Sequence, residues 1–124
     1  MLQAEIDTKA RDGKLSNPIS YADAKDMPYL QAVMKEAMRL HPAVGIPMPR
    51  YVPKGGAEID GKWYPAATVV GVNAWVVHHD KGVFGQDADV FRPERWLNGD
   101  TKIMERSMYQ VCQLRGTSLP ALRD

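Results

Sequence analysis

Apolar positions fall into a helical period in the first third of the chain and an extended one in the middle. Residues 2 to 10 are mostly helix formers and Gly13 is a stop signal, which predicts a short helix or the tail of a longer one. Leu15 to Ile19, with Asn17-Pro18, reads as a loop. Ser20-Tyr21-Ala22-Asp23 fits a capping box opening a short turn. The clearest helix begins at Asp26-Met27-Pro28: Asp26 is suited to cap it, and Pro28 sits where a missing N–H costs little. Leu30, Val33, Met34, Ala37 and Met38 follow the i, i+3, i+4, i+7, i+8 rule and predict a single apolar stripe. Pro42 disfavours helical geometry at His41, so the helix should end near Leu40.

Beyond Leu40 the pattern changes. Pro42, Pro47, Pro49 and Pro53 punctuate an extended segment. Ala57-Glu58-Ile59 and Lys62-Trp63-Tyr64 flank Asp60-Gly61, a pair suited to a tight two-residue turn, which predicts a hairpin. Thr68 to Val72 is a β-branched run and predicts a strand. Asn73 to Val77 either continues that strand or opens a short helix, with Trp75, Val76 and Val77 reading as buried. His78 to Asp89 reads as turns, and Ile103 to Gln110 as a short helix. Val111 to Asp124 has no coherent period.

Composition bounds the picture. The chain has 124 residues, 44% hydrophobic and 25% charged, which suits one small globular domain. A net charge of +1 implies neither nucleic acid nor an acidic membrane surface as partner. The single cysteine, Cys112, excludes an internal disulfide and is compatible with a reducing compartment. No stretch approaches the roughly 20 apolar residues of a membrane span. The start lacks a basic leader and an apolar core, which predicts no signal peptide and puts any membrane anchor outside this chain.

Candidate chemistry starts with Glu36 and Arg39. Both lie away from the centre of the apolar stripe. The residues alone favour a solvated i, i+3 ion pair worth roughly 0.2–0.5 kcal/mol. His78 and His79 are adjacent and so point in different directions, and no third ligand is spaced to join them, so they predict no metal site. His41 stands at a helix end, where a basic group is favoured by the dipole.

The wider order of motifs alters that reading. Glu36-Ala37-Met38-Arg39-Leu40-His41-Pro42 precedes Pro49-Arg50, a hairpin, a valine-rich strand, His79-Asp80 and Phe91-Arg92-Pro93-Glu94-Arg95-Trp96. This succession resembles the Glu-x-x-Arg and Pro-Glu-Arg-Phe/Trp signatures of the cytochrome P-450 haem-thiolate monooxygenases, of eukaryotic, fungal type. It covers about residues 1–110. The resemblance implies a fragment of the mainly-α cytochrome P-450 fold. The stretch present would be α+β: the Glu-x-x-Arg helix, a small β-sheet with a hairpin, and a meander. Residues 1–110 would be a partial domain and 111–124 a divergent tail.

The same resemblance implies roles for single residues. Glu36, Arg39 and Arg95 would form a buried structural triad. Arg50 would contact a haem propionate, for which a guanidinium has matching geometry. Val44, Gly45 and Ile46 would line the substrate pocket, or equally serve as ordinary packing residues. The implied cofactor is haem (heme). The implied partners are an apolar small molecule and an NADPH reductase, and the usual setting is the endoplasmic reticulum membrane. Family members ligate the iron through a cysteine in a Phe-x-x-Gly-x-x-x-Cys-x-Gly loop. Here Val111-Cys112-Gln113-Leu114-Arg115-Gly116 follows Gln110, with no Phe or Gly ahead of the cysteine at the required spacing. Cys112 is therefore only a weak candidate ligand, and no catalytic or metal residue is assigned. The family's oxygen-activating helix would lie upstream. The expectation is a haem-dependent monooxygenase in the parent and a chain that is catalytically incompetent alone. The alternative is a non-enzymatic interaction or weak haem-binding module. A frame change, alternative splicing or an unspliced gene model would produce the departure after Gln110.

Overall fold

A helix whose polar side is buried and whose apolar stripe faces outward organises this protein. The computed structural model describes residues 1–98 and 101–108. Three helices open the chain: α1 (Leu2–Arg11), α2 (Tyr21–Lys25) and α3 (Pro28–Leu40). Among the described residues, the strands are β1 (Met48–Tyr51), β2 (Ala57–Ile59), β3 (Lys62–Tyr64) and β4 (Val69–Val72). Two short helices follow, α4 (Ala74–His78) and α5 (Lys81–Phe84), then a 3-10 turn at Pro93–Trp96 and α6 (Lys102–Arg106). Among the described residues, no helix is long and apolar enough to cross a membrane.

The start of α3 corrects one expectation. Asp26 does not cap it; Asp26 is the C-cap of α2, and Met27 stands at the N-cap of α3 with no side-chain cap bond. The cap comes from another helix. The Glu5 carboxylate of α1 accepts hydrogen bonds from the backbone N–H of Tyr29 (2.9 Å) and of Leu30 (3.0 Å). A negative charge there also meets the positive end of the helix dipole. Glu5→Ala is therefore expected to cost about 0.5–2 kcal/mol, with faster hydrogen exchange at the Tyr29 and Leu30 amides. Asp26→Ala should leave those two amides unchanged.

The capping box of α2 forms as the sequence indicates, with Ser20 accepting from the Asp23 N–H and the Asp23 carboxylate accepting from the Ser20 N–H. Hydrogen bonds from the Ser16 hydroxyl first, then from the Ser20 backbone and hydroxyl, hold the Asp23 carboxyl well below the usual carboxylate range.

The strands make two separate antiparallel pairs. In one, β1 pairs with β4, placing Arg50 opposite Val70. The proline-broken segment thus supplies a strand that its composition does not announce. In the other, β2 and β3 form the expected hairpin, with Ala57 opposite Tyr64. Its turn residues Asp60 and Gly61 have φ of 52° and 69°, the left-handed pair that a two-residue turn needs.

After β4, Asn73 ends the strand by capping α4, its side chain accepting from the Trp75 N–H. The expectation of a buried Trp75-Val76-Val77 run fails: Trp75 and Val76 are exposed, and α4 buries Ala74 and His78. A four-residue helix, α5, replaces part of the expected turns, its start held by the Asp80 carboxylate. The core gathers Ala32, Phe84, Ala88, Trp96 and Met108, flanked by Val83 and Met104.

Candidate functional site

Helix α3 buries Ala32, Glu36 and Arg39. These recur at i, i+4 and i+7 and form one face; at 100° per residue, the stripe of Leu30, Val33, Met34, Ala37 and Met38 lies on the opposite side. Met34 is 48% exposed and Met38 37%. The stripe therefore does not build the core of this chain, as its period suggested. Glu36 and Arg39 form no solvated pair either: both side chains are 0% exposed.

The structure brings Glu36, Arg39 and Arg95 into contact. Arg39 meets the Glu36 carboxylate side on, Nε donating to Oε2 at 3.0 Å and Nη2 to Oε1 at 2.9 Å. Arg95 donates from Nε to Oε1 at 3.0 Å. Two further donors complete the set. The Trp96 indole Nε1–H reaches Oε2 at 2.9 Å, and the Arg92 backbone N–H reaches Oε1 at 3.0 Å. Burial alone would push the Glu36 carboxyl up; the bonds from Arg39, the Arg92 backbone and Trp96 outweigh it, and the pKa lies below its ordinary value.

Two guanidiniums around one carboxylate leave an excess positive charge, which main-chain carbonyls meet. Arg39 donates from Nη1 to the His78 carbonyl at 2.6 Å. Arg95 donates from Nη1 to the Phe84 carbonyl and from Nη2 to the carbonyls of Asp87 (3.0 Å) and Val90 (3.2 Å). The Asp87 carboxylate stands 3.4 Å from Arg95 at the edge of the cluster and takes the more exposed Arg92 at 2.7 Å. Among the described residues, no buried side-chain nitrogen or oxygen lacks a partner. Phe84 covers the Arg39 guanidinium at 5.1 Å from its ring centre.

An outer set of contacts fastens the same elements. The Tyr29 hydroxyl donates to Glu94 at 2.8 Å, an interaction that raises the phenol pKa and lowers that of the carboxyl. Lys35 pairs with Glu105 at 2.6 Å and lies 5.6 Å from the centre of the Trp96 ring. Sequence reasoning did not find Trp96, the Arg92 backbone, His78 or this outer set as partners. The one available signal was the buried tryptophan, whose indole N–H needs an acceptor.

The other sequence-stated residues lie apart. Arg50 is exposed on β1, and its guanidinium has no hydrogen bond or ion pair among the described residues. Ile46 is 70% exposed, Gly45 is exposed and Val44 is half-buried. His78 is buried and His79 stacks on Trp75 with ring centres 4.5 Å apart. Among the described residues, no group of three or more His, Cys, Asp or Glu is placed to hold a metal ion. Cys112 and the tail from Val111 lie outside the described residues.

Comparison with known proteins gives a consistent result. The family model described as Cytochrome P450 matches residues 1–110. A pisatin demethylase of Fusarium vanettenii is 51% identical over 102 residues, which is 82% of this chain and 19% of that protein. The cytochrome P450 monooxygenase cicH of Emericella nidulans is 48% identical over 101 residues, 82% of this chain and 20% of that protein. The cytochrome P450 monooxygenase ACRTS1 of Alternaria alternata is 49% identical over 115 residues, 93% of this chain and 30% of that protein. A match of that extent in a chain of 124 residues reaches past Gln110. The chain spans about a fifth of the length of the first two relatives.

Proposed function

This chain belongs to the cytochrome P450 family, and on that premise we propose that it is the frame segment of a haem-dependent monooxygenase and has no such activity alone. The observation that carries the reading is the Glu36 carboxylate, which takes five donors from α3 and from the segment that ends in Arg95 and Trp96. A carboxylate so enclosed has no lone pair left to act on a substrate, so it works as a fastening. It fixes the Pro93–Trp96 turn against α3, and with it the course of the chain as far as Asn98. In the parent protein that course would lead to the haem. Glu36, Arg39 and Arg95 are thus a structural triad in this reading, with no catalytic role.

The described residues do not by themselves make a haem site. They contain no cysteine to ligate iron, since Cys112 lies outside them. Arg50 has the right chemistry for one end of the group: an exposed guanidinium with unused donors suits a propionate. Val44, Gly45 and Ile46 would border an apolar substrate only once other segments close over them. The apolar substrate, the reductase and the endoplasmic reticulum setting belong to this proposal for the longer protein. The outward stripe on α3 supports the frame reading, because a helix that exposes Met34 and Met38 has an apolar face still to be covered.

The test adds hemin to the purified chain, reduces it and exposes it to carbon monoxide. The expected spectrum lacks a thiolate-type Soret band. Its appearance would overturn the claim that the chain is incompetent alone. Sedimentation of the same sample separates the second reading: a monodisperse, cooperatively unfolding monomer would favour an independent interaction module, whereas association through exposed apolar surface is the result expected of a frame segment.

A further inference from the structure

His78 is completely buried, as Glu36 and Arg39 are, and its position on α4 ties it to their cluster twice. Its main-chain carbonyl accepts the Arg39 Nη1–H at 2.6 Å. Its ring Nδ1 lies 3.0 Å from the main-chain carbonyl of Arg39. That carbonyl belongs to the last turn of α3, where carbonyl groups have no N–H partner within the helix. Each residue thus places its side chain on the other's backbone, closing a ring of two hydrogen bonds between positions 39 apart in sequence.

The chemistry of the contact fixes one proton of the imidazole. A carbonyl oxygen only accepts, so Nδ1 must carry the proton and donate it. Burial lowers the His78 pKa and outweighs the hydrogen bond to the Arg39 carbonyl, which raises it; Arg39 and His79 add to the lowering, which favours the neutral ring. A neutral ring with its proton on Nδ1 is one defined tautomer. Phe84 meets the ring edge-on at 6.4 Å and also covers the Arg39 guanidinium, so ring and guanidinium share a wall.

We propose that His78 is the positioning residue of the triad: its Nδ1–H, bound to the Arg39 carbonyl, sets where the His78 carbonyl stands and so where the Arg39 guanidinium presents itself to Glu36. Helix α4 has five residues and is too short to hold that carbonyl by its own hydrogen bonding. The interaction with Arg39 supplies what the helix lacks. Nε and Nη2 of Arg39 then each meet one oxygen of the carboxylate, because Nη1 is anchored on the His78 carbonyl. This inference rests on the triad of the preceding reading but not on haem; it can fail while the carbon monoxide result stands, and the reverse.

The test compares three substitutions in the full chain and reads the wild-type ring directly. Asparagine carries its amide nitrogen the same number of bonds from Cα as Nδ1. His78→Asn is therefore expected to keep the donor, the stability of the fold and the Arg39 Nε–H resonance at its wild-type position. His78→Gln carries the amide one bond too far, and His78→Phe keeps the ring without a donor. Both should lower the folding equilibrium constant roughly 5- to 150-fold, the effect of a buried carbonyl left unpaired, and displace the Arg39 signal. Nitrogen-15 spectra of wild-type imidazole should show the Nδ1-protonated neutral tautomer. The proposal is overturned if His78→Asn is as damaging as His78→Phe, or if that tautomer is not observed.

Discussion

Glu36→Ala is expected to be the most destabilising single substitution in this chain. The substitution removes the one acceptor shared by Arg39, Arg95, Trp96 and the Arg92 backbone, and leaves Arg39 buried without a counter-charge and Arg95 with only Asp87 at 3.4 Å. Breaking a buried charge pair by removing one partner costs about 3–5 kcal/mol. A small domain has only about 5–15 kcal/mol in total. Glu36→Gln keeps the volume but turns an amide NH2 toward donors, so it should be nearly as damaging. Urea unfolding followed by far-ultraviolet circular dichroism measures both. A loss below about 1 kcal/mol, the range of exposed pairs, would mean that the carboxylate is not the hub described.

Arg95→Lys should be the next most damaging change, although charge is conserved. The three guanidinium nitrogens of Arg95 serve Glu36 and the carbonyls of Phe84, Asp87 and Val90, spread along the loop that follows α5. A lysine has one nitrogen at the end of its stem and cannot span those acceptors. Buried carbonyls would lose their partners and the loop its anchor, at a cost of roughly 3 kcal/mol or more. Three residues away, Arg92 provides the control. Its side chain is half exposed and pairs with Asp87, so Arg92→Lys should cost no more than about 1 kcal/mol. Hydrogen exchange at the amides of residues 84–90 should accelerate in the first variant and stay near wild type in the second. Equal effects would remove the distinction between a buried anchor and a surface pair.

Much of the local structure was legible because it depends on neighbours in sequence. The Ser20–Asp23 box, the Asp60-Gly61 turn and the end of α3 ahead of Pro42 follow from residues within a few positions. The face of α3 was not legible from periodicity. An apolar stripe normally marks the core side of a helix, yet here Glu36 and Arg39 are inside and Met34 and Met38 outside. The reason is the distant pair Arg95 and Trp96, whose donors make a buried carboxylate tolerable and turn the helix toward them. No local rule couples residues about 60 apart. Only the resemblance carried by both motifs together pointed to that side. The cap from Glu5 to α3 escaped for the same reason, since Asp26 was the near candidate and the true partner sits on another helix. The role of His78 escaped because adjacent histidines raise the question of a metal before that of a backbone contact.

Five donors hold the Glu36 carboxyl ionised. Its pKa is lowered in the folded state, so the stability it contributes is fully present above the unfolded value of about 4.3 and is lost as pH falls through the folded value. A carbon-13 titration of the Glu36 side-chain carboxyl in the wild-type chain reads this directly. The predicted result is a titration displaced below the ordinary glutamate value of about 4.3. A carboxyl that titrates at the ordinary glutamate value while the chain remains folded would contradict the claim that Glu36 joins α3 to Arg95.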